Sequence, residues 1–123
     1  MADLETIAKG SRSGHEGQGQ YVIRDRTMWQ DLWETVHSYR TDKPDLPEID
    51  FEHEMVIAYF MGSRRSSGYS AEIIKAEETG DKLKVAVRTS APKTSCFVAC
   101  WLTQPYHIVK TRKTDKAVEF VIS

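Results

Sequence analysis

Apolar residues fall along this chain in three rhythms, and each rhythm predicts an element. Between 27 and 39, Trp29, Leu32, Trp33 and Val36 recur at spacings of three and four, with Met28 on the flank. Asp31, Glu34 and Arg40 take the wet side, which makes the segment an amphipathic helix. Thr27 followed by Gln30 has the spacing of a capping box at its start. Pro44 and Pro47 hold the chain extended beyond it. From 55 to 61 (MVIAYFM) the chain is apolar at successive positions, as a central strand covered on both faces requires. From 83 to 87, Leu83, Val85 and Val87 alternate with Lys84, Ala86 and Arg88, so this strand buries one face.

Shorter strands are predicted over 4–10 (LETIAKG), 21–25 (YVIRD), 69–76 (YSAEIIKA), 106–111 (YHIVKT) and 117–122 (AVEFVI). Thr79-Gly80-Asp81 reads as the turn of a hairpin, and the last two strands read as a closing pair joined by 112–116. The segment 11–20, with Gly14, Gly17 and Gly19 and no large apolar residue, reads as a mobile surface loop or hairpin connection. Residues 97–102 fit a helix turn or a strand equally well. The economical fold is α+β, a single domain over 1–123. One amphipathic helix packs on a mainly antiparallel, curled β-sheet of about six to seven strands.

Composition narrows the function classes. With 17 basic against 18 acidic side chains, nothing draws the chain to nucleic acid or to an anionic membrane. No run approaches the roughly 18 apolar residues that cross a bilayer. The start, MADLET, lacks the basic and apolar regions of a secretory signal, which points to the cytoplasm; a trimmed mature form would be exported. Cys96 and Cys100 stand four apart, about 13 Å in a strand and roughly 6 Å on a helix, and read as reduced, buried thiols. No further ligands lie close enough to make them a zinc site.

Motif chemistry is mostly excluded. The glycines at 14, 17 and 19 run in the wrong order for a dinucleotide loop, and the segment 62–68 lacks the Lys-Ser/Thr ending of a P-loop. His53-Glu54 opens like a zinc-binding H-E-x-x-H, but Ile57 replaces the second histidine. Asp50, Glu52, His53 and Glu54 precede a strand, where alternate side chains diverge, so they are not expected to converge. No cofactor and no metal is implied. Six acidic residues against one basic lie between 42 and 54, and four basic against one acidic between 110 and 116. Such poles steer a partner or a second copy unless they are ordinary wet loops.

Two places carry candidate binding chemistry. Arg64 and Arg65 stand between Gly62 and Gly68, next to Tyr69, the pairing of arginine and aromatic that binding surfaces favour. The bland alternative is an exposed hairpin tip. Pro105-Tyr106-His107 enters a strand with Tyr106 and His107 on opposite faces, and His107 reads as an exposed strand residue or, less simply, as a base. A different class of function, a small-ligand or enzymatic site, would need Asp50, His53 and His107 brought together by the fold.

Trp29 and Trp33 on a helix, Asp50-Phe51 before an apolar strand, the run from Gly62 through Arg64 to Gly68-Tyr69, and Pro105-Tyr106-His107-Ile108-Val109 together resemble the PrcB C-terminal domain family. These are small bacterial domains named after a subunit of a surface protease complex. The resemblance covers about 21–122. It implies a mostly β domain without enzymatic activity that supports or stabilises a protease partner. It also implies signature roles for Gly62, Arg64, Gly68, Tyr69, Pro105 and Tyr106. Family members are commonly exported or lipid-anchored, whereas this sequence shows neither a signal nor a lipidation cysteine near its start. The expectation is therefore a non-catalytic protein-binding module with a protein partner, a protease by the resemblance. Its contact surface is expected at Arg64, Arg65, Tyr69, Tyr106 and His107, and the edge of 117–122 is a candidate for pairing with a second copy.

Overall fold

The run at 55–61 lies where its pattern demands, in the middle of the molecule. A computed structural model describes residues 4–15, 17–42, 44–64, 69–91 and 103–123. Among these the elements are β1 (Glu5–Gly10), β2 (Gly19–Ile23), α1 (Arg26–Val36), β3 (Glu54–Phe60), β4 (Ser70–Thr79), β5 (Lys82–Ser90), β6 (Tyr106–Arg112) and β7 (Ala117–Ile122). Strands β1-β6-β3-β2 form one antiparallel sheet, and β4-β5-β7 form a second. Within the second, β4 and β5 are an antiparallel hairpin while β7 runs parallel to β5. None of the described helices is long and apolar enough to cross a membrane.

The four-stranded sheet is the middle of three layers. Val56, Ala58 and Phe60 of β3 meet Trp29, Leu32, Trp33 and Val36 of α1 on one face. Met55, Ile57 and Tyr59 meet Ile73, Ala76, Leu83, Val85 and Val87 of the second sheet on the other. A strand with period two and cover on both sides must be apolar at every position, which is why MVIAYFM shows no alternation. Each large side chain buried there contributes about 1.5–3 kcal/mol. Strand β5 has cover on one face only and keeps its alternation.

The sheet is divided where one sheet was expected, and the closing pair of strands does not form. Strand β6 is already paired on both edges, by β1 and β3, and has no edge to offer β7. The connection 113–116 instead carries the chain to the free edge of β5, where Val118 and Phe120 reach the core between the sheets. Arg24 fastens the crossing, its guanidinium donating to the carbonyls of Thr114 (3.2 Å) and Lys116 (3.1 Å). At the end of β7, Val121 and Ile122 are exposed.

Local signals need three further corrections. The helix is capped by Asp25, which has an extended backbone and whose carboxylate accepts the Met28 N–H at 2.8 Å, so Thr27 lies inside the first turn. It ends at Val36 rather than near 39, where side chains and a crossing loop take over its last carbonyls. His37 Nδ1–H donates to Trp33 O, Ser38 Oγ to Thr35 O, and the Gly14 N–H to Val36 O. The stretch between β1 and β2 is accordingly a surface loop and no hairpin connection. Strands β1 and β2 are opposite edges of their sheet, so this segment must cross its end, and it buries Ser13 on the way. At Gly14 a Cβ would collide with Ser38 Oγ and Thr35 O.

Two local readings hold with added detail. Gly80 takes φ +61 in the two-residue turn between Thr79 and Lys82 while Asp81 stays at negative φ, the pattern of a type II′ turn. A bulge between Ile73 and Lys75 shifts the phase of β4, so Ile73 and Ala76 both face the core and Ile74 faces solvent. Trp29 and Trp33, expected as structural residues, also hold the extended stretch beyond the helix: their indole N–H groups donate to Pro47 O and Pro44 O, each at 3.0 Å.

Candidate functional site

The segment leaving β3 is shaped by backbone constraints. The Met61 N–H donates to Pro105 O at 2.9 Å, and Gly62 then turns with φ +87. Glycine alone adopts that conformation without strain, and a Cβ there would press within 3.1 Å of the Gln18 amide. Arg64 pairs with Thr103 through two reciprocal backbone hydrogen bonds of 2.8 Å, extending the contact between the two halves of the motif. Its guanidinium carbon lies 5.7 Å from the centroid of the Tyr69 ring, within cation–π range, and both residues are half-buried. Tyr69 packs against the rim of the core between the sheets. Arg65 and Gly68, named with them from the sequence, lie outside the described residues, as do Cys96, Cys100 and the segment 97–102.

Tyr106 and His107 do not join an exposed patch. Tyr106 is only 6% exposed, its ring stacked on Phe60 at 6.0 Å and lying against the open face of Gly10. Burial pushes its phenol pKa up. Pro105 beside it is buried too, serving as an acceptor for Met61. His107, expected at the surface, is 3% exposed because its face of β6 is covered by β4. Of the expected contact residues within the described chain, Arg64 and Tyr69 therefore come together with solvent access.

The second set, Asp50, His53 and His107, is split. His107 pairs across the sheet with Tyr59, while Arg112 pairs with Glu54, five residues farther along β3. At about 3.3 Å per residue that is roughly 17 Å, beyond direct acid–base reach. Asp50 and His53 do meet, with Nδ1–H donating to Oδ2 at 2.7 Å. The expected divergence of this acidic run fails because 51–53 form a turn, in which the N–H groups of His53 and Glu54 both donate to Asp50 O. The other carboxylate oxygen of Asp50 accepts the Glu52 N–H at 3.1 Å. Ligand atoms of Asp50, Glu52 and His53 thus lie within 4.8 Å of one another, all exposed. Hydrogen bonding to His53, and behind it to the Glu52 amide, lowers the Asp50 pKa; the same hydrogen bond raises that of His53. These bonds close the turn that feeds β3.

The acidic and basic runs meet at one ion pair and at backbone contacts. The Lys113 N–H donates to His53 O at 2.9 Å and its ammonium to Phe51 O at 2.7 Å. Lys110 reaches Glu54 at 3.2 Å and Glu5 at 3.5 Å. A cleft of about 410 Å³ opens between α1 and the following loop, lined by Arg26, Trp29, Leu46, Pro47 and Phe51 among others. It takes in none of Arg64, Tyr69 or His107. Sequence reasoning missed Thr103, Thr6 and Ile73 as partners of the motif residues; their contacts join positions far apart in the chain, and no local signal marks them.

Comparison with known proteins returned no match among curated proteins and none among solved structures. A family described as PrcB C-terminal matches residues 55–112, a shorter span than the 21–122 of the resemblance. The span runs from β3 to the end of β6 and contains Gly62, Arg64, Tyr69, Pro105 and Tyr106. Over these residues, the chain is similar to the PrcB C-terminal family.

Proposed function

We propose that this chain is a non-catalytic protein-binding module that stabilises or modulates a protease complex, with Arg64 and Tyr69 in its contact surface. The family carries the protease association. The location rests on one observation, the stacking of the Arg64 guanidinium over Tyr69 at the accessible rim between the sheets. An arginine pre-ordered on an aromatic ring loses little freedom on binding, and both residue types are enriched where interfaces concentrate their energy. Gly62 and the Thr103 bridge hold the Arg64 backbone in place.

The test is affinity capture from a lysate of the source cell, with bound proteins identified by mass spectrometry. Wild type is compared with Arg64→Ala/Tyr69→Ala, whose fold is checked by circular dichroism. A protease or a component of its complex retained by wild type and lost by the folded variant is the expected result. Equal retention by both would move the surface elsewhere. Capture without any protease component would remove the protease association.

A further inference from the structure

The two sheets meet along a seam where β4, the outer strand of its sheet, passes β6 and β1. A strand edge without a neighbouring strand leaves backbone amides in need of other partners. His107 supplies one. The Ile73 N–H donates to its Nδ1 at 2.8 Å, so that nitrogen carries no hydrogen. The proton is then on Nε2, which donates to Thr6 Oγ1 at 2.9 Å. One neutral imidazole thereby connects three strands, β6, β4 and β1.

The charged and titratable groups around it are few. Lys9 stands opposite His107 on β1, and Tyr59 opposite it on β3. From β4 comes Glu72, paired with Lys9 at 3.3 Å and with Arg88 of β5 at 3.0 Å. Burial, and behind it Lys9, holds the imidazole pKa below its ordinary value, with Glu72 opposing.

We propose that His107 is a pH-sensitive latch between the two sheets, in which protonation of Nδ1 from solvent turns the acceptor of the Ile73 amide into a second donor and releases the β4 edge. The sign follows from linkage. The opened form, with an ordinary histidine pKa of about 6.5, takes up a proton before the closed form does. The latch is at full strength above about pH 6.5 and weakens as pH falls toward the closed-form pKa. In that window the opening constant rises by up to about tenfold per pH unit. The device needs no partner and leaves the Arg64–Tyr69 surface as a separate question.

Amide hydrogen exchange measured by NMR between about pH 7.5 and about pH 5 tests it. The Ile73 protection factor is followed against amides of the β2–β3 ladder, in wild type and in His107→Gln. Glutamine keeps an acceptor and a donor but does not titrate. In wild type the Ile73 protection is expected to fall by up to about tenfold per pH unit below about pH 6.5 while the reference amides hold; in His107→Gln it is expected to stay flat. The proposal is overturned if Ile73 protection does not change with pH in wild type. It is equally overturned if that protection falls in step with the reference amides, or has the same slope in the variant. Should His107→Gln fail to fold, the imidazole ¹⁵N shifts of wild type decide, and a proton on Nδ1 in the closed form at about pH 7.5 overturns it.

Discussion

Ile73 and Ile74 are identical neighbours with opposite fates, which makes them an internal control for how β4 sits on the core. Ile73 is 3% exposed and Ile74 is 43% exposed. Ile73→Ala removes buried methyl and methylene groups from a cluster that includes Met55, Tyr59 and Val87, and truncations of that kind cost about 2–5 kcal/mol. Ile74→Ala loses half-solvated area and some strand preference, together about 1 kcal/mol or less. Urea unfolding followed by tryptophan fluorescence reads the difference. With a slope of about 2 kcal/mol per molar urea, a 3 kcal/mol loss lowers the midpoint by about 1.5 M, against at most about 0.5 M for Ile74→Ala. A stability of about 5–15 kcal/mol leaves both variants folded at the start of the titration. Equal losses, or a larger loss at Ile74, would refute the placement of β4. The bulge has its own control: Ala76→Asp would bury an unpaired carboxylate at a fully buried position and prevent folding, whereas Lys75→Asp is tolerated.

At the helix start, Asp25→Ala is expected to cost about 1 kcal/mol and lower the melting temperature by a few degrees. Thr27→Ala should change stability by a few tenths at most, and a greater loss there would place the cap at Thr27 after all. Thr111 Oγ1 is buried with no hydrogen-bond partner among the described residues. Thr111→Val should therefore raise the urea midpoint by an amount equivalent to about 1 kcal/mol, and a lowered midpoint would reveal a partner for the hydroxyl. The His53 imidazole should titrate above the ordinary histidine value of about 6.5 and His107 below it, read by NMR. Because the His53 pKa is raised in the folded chain, its pairing with Asp50 is complete below about pH 6.5 and is lost as pH rises through the folded value. Asp50→Asn should bring His53 back toward the ordinary value; an unmoved titration would mean that Asp50 is not its partner.

Several elements were legible because their cause is local. The stripe of Trp29, Leu32, Trp33 and Val36, the alternation of Leu83, Val85 and Val87, and the unbroken run of β3 each record which faces are covered, and side-chain direction follows the backbone period. The turn at Gly80 was legible for the same reason. The candidate site was legible in part. Arg64 and Tyr69 come together as their closeness in sequence suggested, whereas Tyr106 and His107 are covered by elements that are not adjacent in the chain. Even Asp25 shows the limit of a local signal, since two capping residues two positions apart compete and the end of β2 decides between them.

By itself, the sequence determined the fold class, the helix, the central covered strand and the segment that carries the family motif, because burial periodicity and turn chemistry act over a few residues. Only the tertiary structure decided that β7 joins β5, that His107 holds Ile73 and Thr6, and that Lys110 of the basic run meets Glu54 of the acidic one. Those outcomes depend on which strand edges are already occupied and which distant groups then lie within about 3 Å, and neither is encoded in the spacing of residues along a single segment.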